Sequence, residues 1–169
     1  MAGLGLGLSL SIRRLLEDVS SDLRSQVSVR SIILFGSLAR GEERKRSDID
    51  LIVVSDSFPD SYSARLDMLR PILRKVQHSS SYADLVRNGY RLKFSPVPYK
   101  PEDLNDTPPL LLDVVEDGVI IYDDGLMTRK LSDLKEKLRS LGSKRIRTKS
   151  GKWYWVLKPD IKPGEILQI

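Results

Sequence analysis

Two short apolar runs constrain this chain most, because each is broken at one end by residues that a buried core would not accept. Ser31-Ile-Ile-Leu-Phe35 stops abruptly at Gly36, and Ile49-Asp-Leu-Ile-Val-Val54 is entered through Ser47 and Asp48, with Asp50 inside it. Short β-branched runs bounded by turn chemistry read as buried strands. Around them the period changes to that of a helix. Ile12, Leu15, Leu16, Val19, Leu23 and Val27 recur at helical spacing over 10–27, as do Leu66, Leu69, Ile72, Leu73 and Val76 over 62–76, where Pro71 predicts a kink or break. A short helix over 80–88 closes at Gly89 and is followed by a third strand over 90–97, whose Pro96 places its far end at an edge or bulge. Pro108-Pro109 opens a helix that stops at Gly118, 119–122 is a fourth strand, and 127–141 is a charged helix with Leu131, Leu134, Leu138 and Leu141 on one side. Beyond Gly142, a basic stretch turns at Ser150-Gly151 into Trp153-Tyr-Trp155-Val-Leu157, which reads as a hairpin. Alternating helices and strands predict an α/β protein layered around one sheet.

At 169 residues, 40% of them hydrophobic, the chain has the size and apolar content to bury a core. The absence of cysteine excludes disulfide scaffolds, thiolate zinc sites and cysteine nucleophiles, and His78 alone cannot build a multi-histidine metal centre. The apolar start, Met1 to Leu10, is glycine-broken and too short to span a bilayer, so a cytoplasmic protein without membrane association is expected. A net charge of +5 favours polyanionic partners, nucleotides or nucleic acid, without choosing between them.

Side chains alternate along a strand, so Asp48 and Asp50 point one way while Ile49 and Leu51 point into the core. Two carboxylates about 7 Å apart along one strand face can share hard cations. A glycine at the end of the preceding strand lets backbone amides approach a phosphate, and Ser37 adds a hydroxyl at the start of a short helix. Arg40, one turn on, can pair with phosphate or with an acid of its own domain.

An apolar strand, Gly36-Ser37, a polar gap and Asp48-Ile-Asp50 entering a second strand together resemble the signature of the DNA polymerase β nucleotidyltransferase superfamily; Ala39-Arg40-Gly41 and Ser47 look like its minimal prokaryotic branch. The resemblance covers about residues 11–122. It implies a mixed central sheet flanked by helices, a nucleotidyltransferase domain over 11–126 after a flexible segment 1–10, and a C-terminal helix and basic hairpin over 127–169 packed on the same domain. It also implies that Gly36 and Ser37, with Arg40 and Ser47, hold a nucleoside triphosphate, ATP in the first instance, and that Asp48 and Asp50 are catalytic ligands of Mg²⁺ or Mn²⁺. A helical partner of the HEPN type, with this chain as the antitoxin, follows from the same resemblance. The family carries a third carboxylate on a later strand, but here that strand reads Arg91-Leu-Lys-Phe-Ser-Pro-Val97. Ser95 takes the position, and Asp84, Glu102 or Asp103 would substitute only if the fold brought one inward.

Three functions follow. The first is a nucleotidyltransferase moving a nucleoside monophosphate onto a hydroxyl of a protein or nucleic acid. The second is a nucleotide-binding regulatory protein of the same fold without turnover. The third is a nucleic-acid-binding module using the basic C-terminal region, where cations interleave with Trp153, Tyr154 and Trp155; the same alternation equally suits a hairpin packed on the domain.

Overall fold

The computed structural model describes residues 8–42, 44–151, 153–167 and 169, so most of the expected flexible start and Lys152 of the basic hairpin lie outside the described residues. Helix α1 (Leu10–Gln26) opens on Ser9, whose hydroxyl accepts from the Ile12 amide, and buries Ile12, Leu15, Leu16, Val19 and Leu23. Its apolar stripe is the one the spacing predicts. Leu8, just ahead of it, already belongs to the core.

Four strands form one mixed sheet in the order β3-β2-β1-β4. β1 (Val29–Phe35) lies antiparallel to both β2 (Asp48–Ser55) and β4 (Val119–Asp123), while β2 and β3 (Lys93–Tyr99) run parallel. A parallel pair needs a long crossover. Here α3 (Tyr62–Val76) and α4 (Ser80–Arg87) supply it.

Pro71 does not break α3. It stands on the exposed side, where water can satisfy the carbonyl that its missing N–H leaves free. β3 starts at Lys93, three residues later than the sequence pattern suggests, because Tyr90 closes the end of α4 through Leu85 and Arg91 donates its amide to the Lys45 carbonyl at 2.6 Å. Pro96 and Pro98 both sit in this edge strand, where a missing donor costs least.

The sheet carries a core on each face. Ile32, Leu34, Ile49, Leu51 and Val53 pack against α1, α3 and α4. Ile33, Ile52 and Val54 face α5 (Leu110–Asp117), α6 (Leu126–Ser140) and the hairpin of β5 (Lys144–Arg147) with β6 (Trp153–Val156), through Leu111, Val114, Met127, Leu134 and Leu138 with Trp155 and Leu157. By strand alternation Asp48 and Asp50 share the face of Ile52 and Val54. Among the described residues no helix is long and apolar enough to cross a membrane.

Candidate nucleotide and metal site

Antiparallel pairing of β1 with β2 sets Phe35 opposite Asp50, so the chain leaves β1 beside the acidic end of β2. Gly36 then takes φ +75°, and a methyl group there would overlap Asp50 Oδ2 and lie 3.1 Å from Asp50 Cγ. Both the backbone hand and the space demand glycine. The bend and the acidic pair, separate in the sequence, therefore meet at one point. Past Gly36 the single-turn helix α2 (Gly36–Ala39) buries Leu38 and leaves Ser37 half-buried at its start. The Ser37 hydroxyl makes no hydrogen bond to another described residue.

Asp48 is exposed and Asp50 half-buried. Burial pushes the Asp50 carboxyl above its ordinary value; the Ser95 hydroxyl, hydrogen-bonded to it, pulls it back, the Asp48 charge raises it further and Arg40 lowers it. A carboxylate that is partly desolvated beside a second carboxylate gains from a cation between them. Two hard oxygen donors fit a magnesium ion, which keeps several waters and completes its shell with substrate phosphates. Among the described residues no group of three or more His, Cys, Asp or Glu surrounds such an ion, so Asp48 and Asp50 are the charged donors available.

Register explains the missing third acid. β3 lies parallel to β2 with Lys93 opposite Asp48 and Ser95 opposite Asp50, so a hydroxyl stands where a carboxylate would complete the set. The candidate substitutes are engaged elsewhere. Asp103 pairs with the buried Arg65, which also donates to the carbonyls of Pro59 and Asp60, and Asp84 pairs with Arg87 on α4. Glu102 lies in the 3-10 turn Pro101–Leu104 after the far end of β3, on the wall of a different cavity.

Arg40 pairs with acids of its own domain, with Nε 3.0 Å from Glu42 Oε2 and Nη1 3.8 Å from Asp117 Oδ2. Its charge still reaches Asp50. The Ser47 hydroxyl accepts from the Arg44 amide at 2.8 Å and the Ser47 amide returns to the Arg44 carbonyl at 3.0 Å, so Ser47 shapes the turn that delivers Asp48. Gly36 thus lies against Asp50, whose carboxyl also feels the charges of Asp48 and Arg40; Ser37 follows Gly36, and Ser47 shapes the turn before Asp48.

Sequence reasoning missed Asp117 and Arg145. Asp117 ends α5 and Arg145 lies in β5, yet their side chains meet at 2.7 Å, and Arg145 also approaches Asp113 at 3.6 Å. Its guanidinium stacks on Trp153, 4.5 Å from the ring centroid, with that of Arg147 at 5.4 Å. Trp155 donates to Asp113 at 3.3 Å and packs on the second core. Part of the basic aromatic segment is therefore spent on packing, while Trp153 and Tyr154 stay 40% and 47% exposed. The only available signal was an acid just before Gly118, which marks a helix end and names no partner.

Comparison with known proteins places this arrangement. Three proteins of Methanocaldococcus jannaschii that carry the provisional name protein adenylyltransferase are similar to it: one is 34% identical over 95 residues, 55% of this chain and 58% of the relative; a second is 41% identical over 49 residues, 29% and 57%; a third is 40% identical over 60 residues, 34% and 59%. The matched segments span less than two thirds of those relatives' length. Among solved structures, a toxin–antitoxin complex with AMP-PNP has a TM-score of 0.46 at 18% identity, covering 75% of this chain and 92% of that one. A complex of tri-AMPylated Shewanella oneidensis HEPN toxin with MNT antitoxin has a TM-score of 0.43 at 16% identity, covering 77% and 92%. The nucleotidyltransferase domain matches residues 12–110, which is more than half of the chain and contains Gly36, Ser37, Asp48, Asp50 and Ser95. By that match, the chain belongs to the nucleotidyltransferase domain family.

Proposed function

We propose that this chain binds a nucleoside triphosphate, ATP in the first instance, with Mg²⁺ at Asp48 and Asp50, and transfers the nucleoside monophosphate to a hydroxyl of an acceptor protein. The carrying observation is the close approach of Gly36 to the Asp50 carboxylate, which sets a phosphate-accepting bend against a cation-holding pair. The relatives' name, protein adenylyltransferase, supports a protein acceptor. The HEPN-type helical protein implied by the resemblance is the first acceptor to test.

In the reaction the acceptor oxygen attacks the α-phosphorus. The bond from that phosphorus to the α,β-bridging oxygen breaks, and pyrophosphate leaves with the electron pair. Gly36 amide and Ser37 hydroxyl hold the phosphates, Asp48 and Asp50 hold the cation, and Arg40 faces the charge that develops on the leaving group. Bound Mg²⁺ supplies Lewis-acid polarisation of the phosphoryl oxygens. With Ser95 in place of a third carboxylate, the acceptor proton passes to water.

That same substitution favours a second reading, a nucleotide-binding regulatory protein without turnover. Incubation with α-labelled ATP, Mg²⁺ and an acceptor protein separates the two. The enzyme labels the acceptor and releases pyrophosphate, whereas the regulator shows Mg²⁺-dependent nucleotide binding alone. Asp48→Asn and Gly36→Ala should each abolish label transfer and weaken Mg²⁺–ATP binding at least tenfold. Undiminished binding in both variants would remove the site from this end of the sheet.

A further inference from the structure

Asp117 is shared by two guanidiniums at unequal distances, with Arg145 Nη1 at 2.7 Å and Arg40 Nη1 at 3.8 Å from the same Oδ2 oxygen. That oxygen is buried, yet neither guanidinium gives it an aligned hydrogen bond, and Arg145 Nε is likewise buried without a partner. Asp117 therefore retains acceptor capacity while standing beside Arg40, whose charge acts on the Asp50 carboxylate. A guanidinium held bidentately by a carboxylate is lost to phosphate, because the two anions compete for the same fork of N–H donors.

We propose that Arg145 is a positioning residue for nucleotide binding. By occupying Asp117, it prevents that carboxylate from capturing Arg40 and leaves the Arg40 guanidinium available to phosphate. The inference rests on the reading of Arg40 as a phosphate ligand and extends it to a residue of the C-terminal hairpin, beyond the 12–110 span of the family match. Local packing fits such a brace. The Arg145 side chain is only 11% exposed, clamped between Asp117, Asp113 and the face of Trp153, so its charge is delivered to one place. Arg40 also pairs with Glu42, an exposed acid whose carboxyl Arg40 keeps below its ordinary value, with weaker help from Arg147. An exposed acid yields readily to a phosphate in water. Asp117, half-buried with its Oδ2 oxygen out of reach of solvent, would not once released from Arg145.

The test is Mg²⁺–ATP affinity, measured by calorimetry on the full chain and on Arg145→Gln, Asp117→Asn and the double variant. Arg145→Gln should weaken binding about tenfold, Asp117→Asn should bind as tightly as the parent or more tightly, and the double variant should return to the parent affinity. Rescue by Asp117→Asn separates this role from a structural one, since a hairpin held only by the ion pair gains nothing from losing its second half. No rescue, or Asp117→Asn weaker than the parent, overturns the inference while leaving the proposed function standing. If Arg145→Gln melts below the assay temperature, the comparison of Asp117→Asn with the parent decides by the same criterion. Should the parent chain itself bind no Mg²⁺–ATP, the functional reading and the inference fail together; should Arg40→Ala bind like the parent, the inference alone fails.

Discussion

At the scale of single residues, Asp50 carries the conflict on which the site is built. It is half-buried, beside Asp48, and its carboxyl is raised mainly by desolvation and then by its neighbour's charge, against the opposing pull of Ser95 and Arg40. The sign of the stability effect follows. Between the ordinary carboxyl value and the raised one, the folded chain holds a proton that the unfolded chain has lost, so stability falls as pH rises through that window. Asp50→Asn removes the penalty. Because solvent still screens this carboxylate, the expected gain at pH 7 without metal is a melting temperature about 1–2 °C higher, with a flatter pH profile above pH 4. Added Mg²⁺ should stabilise the parent and leave Asp50→Asn unchanged, read by thermal melts across pH. A parent chain that grows more stable from pH 4 to pH 7 while Asp50→Asn does not would show the opposite coupling. The Asp-x-Asp spacing was legible in the sequence because strand alternation alone decides which way two such side chains point. The reason for Gly36 was not, since only the register of two strands tells which side chain a Cβ would strike.

At the scale of elements, the join between β4 and α6 is fixed by Asp123. Burial pushes this carboxyl up, but the hydroxyls of Ser31 and Thr128 and the amides of Thr128 and Met127 bind it and outweigh burial, leaving it below its ordinary value. One side chain thus caps the N-terminus of α6, where Gly125 at φ +103° offers no capping group, and satisfies the fully buried Ser31. Asp123→Ala should cost about 2 kcal/mol at pH 7, from a lost cap and an orphaned hydroxyl. For an acid whose folded value is depressed, stability is present above the ordinary value and is lost as pH falls through the folded one. Urea midpoints of parent and variant should therefore converge as pH falls below the ordinary carboxyl value. Elements were read well where one period ran unbroken, as in α1, β1, β2 and α6. The start of β3 was misread, and of the kink or break expected at Pro71 the break does not occur, because each depends on surroundings: the Lys45 carbonyl that takes the Arg91 amide, and the solvent beside Pro71.

At the scale of the whole molecule, both faces of one four-stranded sheet are covered, the second partly by the C-terminal hairpin through Trp155, Leu157 and the acids of α5. The chain's two tryptophans, Trp153 and Trp155, both lie in β6, so their fluorescence reports the hairpin while far-ultraviolet circular dichroism reports the helices. A hairpin that shares the core should lose structure with the rest, giving coincident urea transitions by the two probes. A fluorescence change at lower urea would make the hairpin a separate, weaker unit and would also loosen the tie between Arg145 and Asp117.

The sequence by itself determined the alternation of helices and strands, the shared face of Asp48 and Asp50, the glycine bend before them and the absence of an acid at Ser95. These depend on period and neighbouring residues, which a linear chain already contains. Only the tertiary structure decided that the bend touches the acids, that Asp84, Glu102 and Asp103 stay away, and that a hairpin arginine reaches Asp117 beside Arg40. Those facts follow from strand register and the path of the chain between layers, and both are set by the simultaneous packing of residues far apart in sequence.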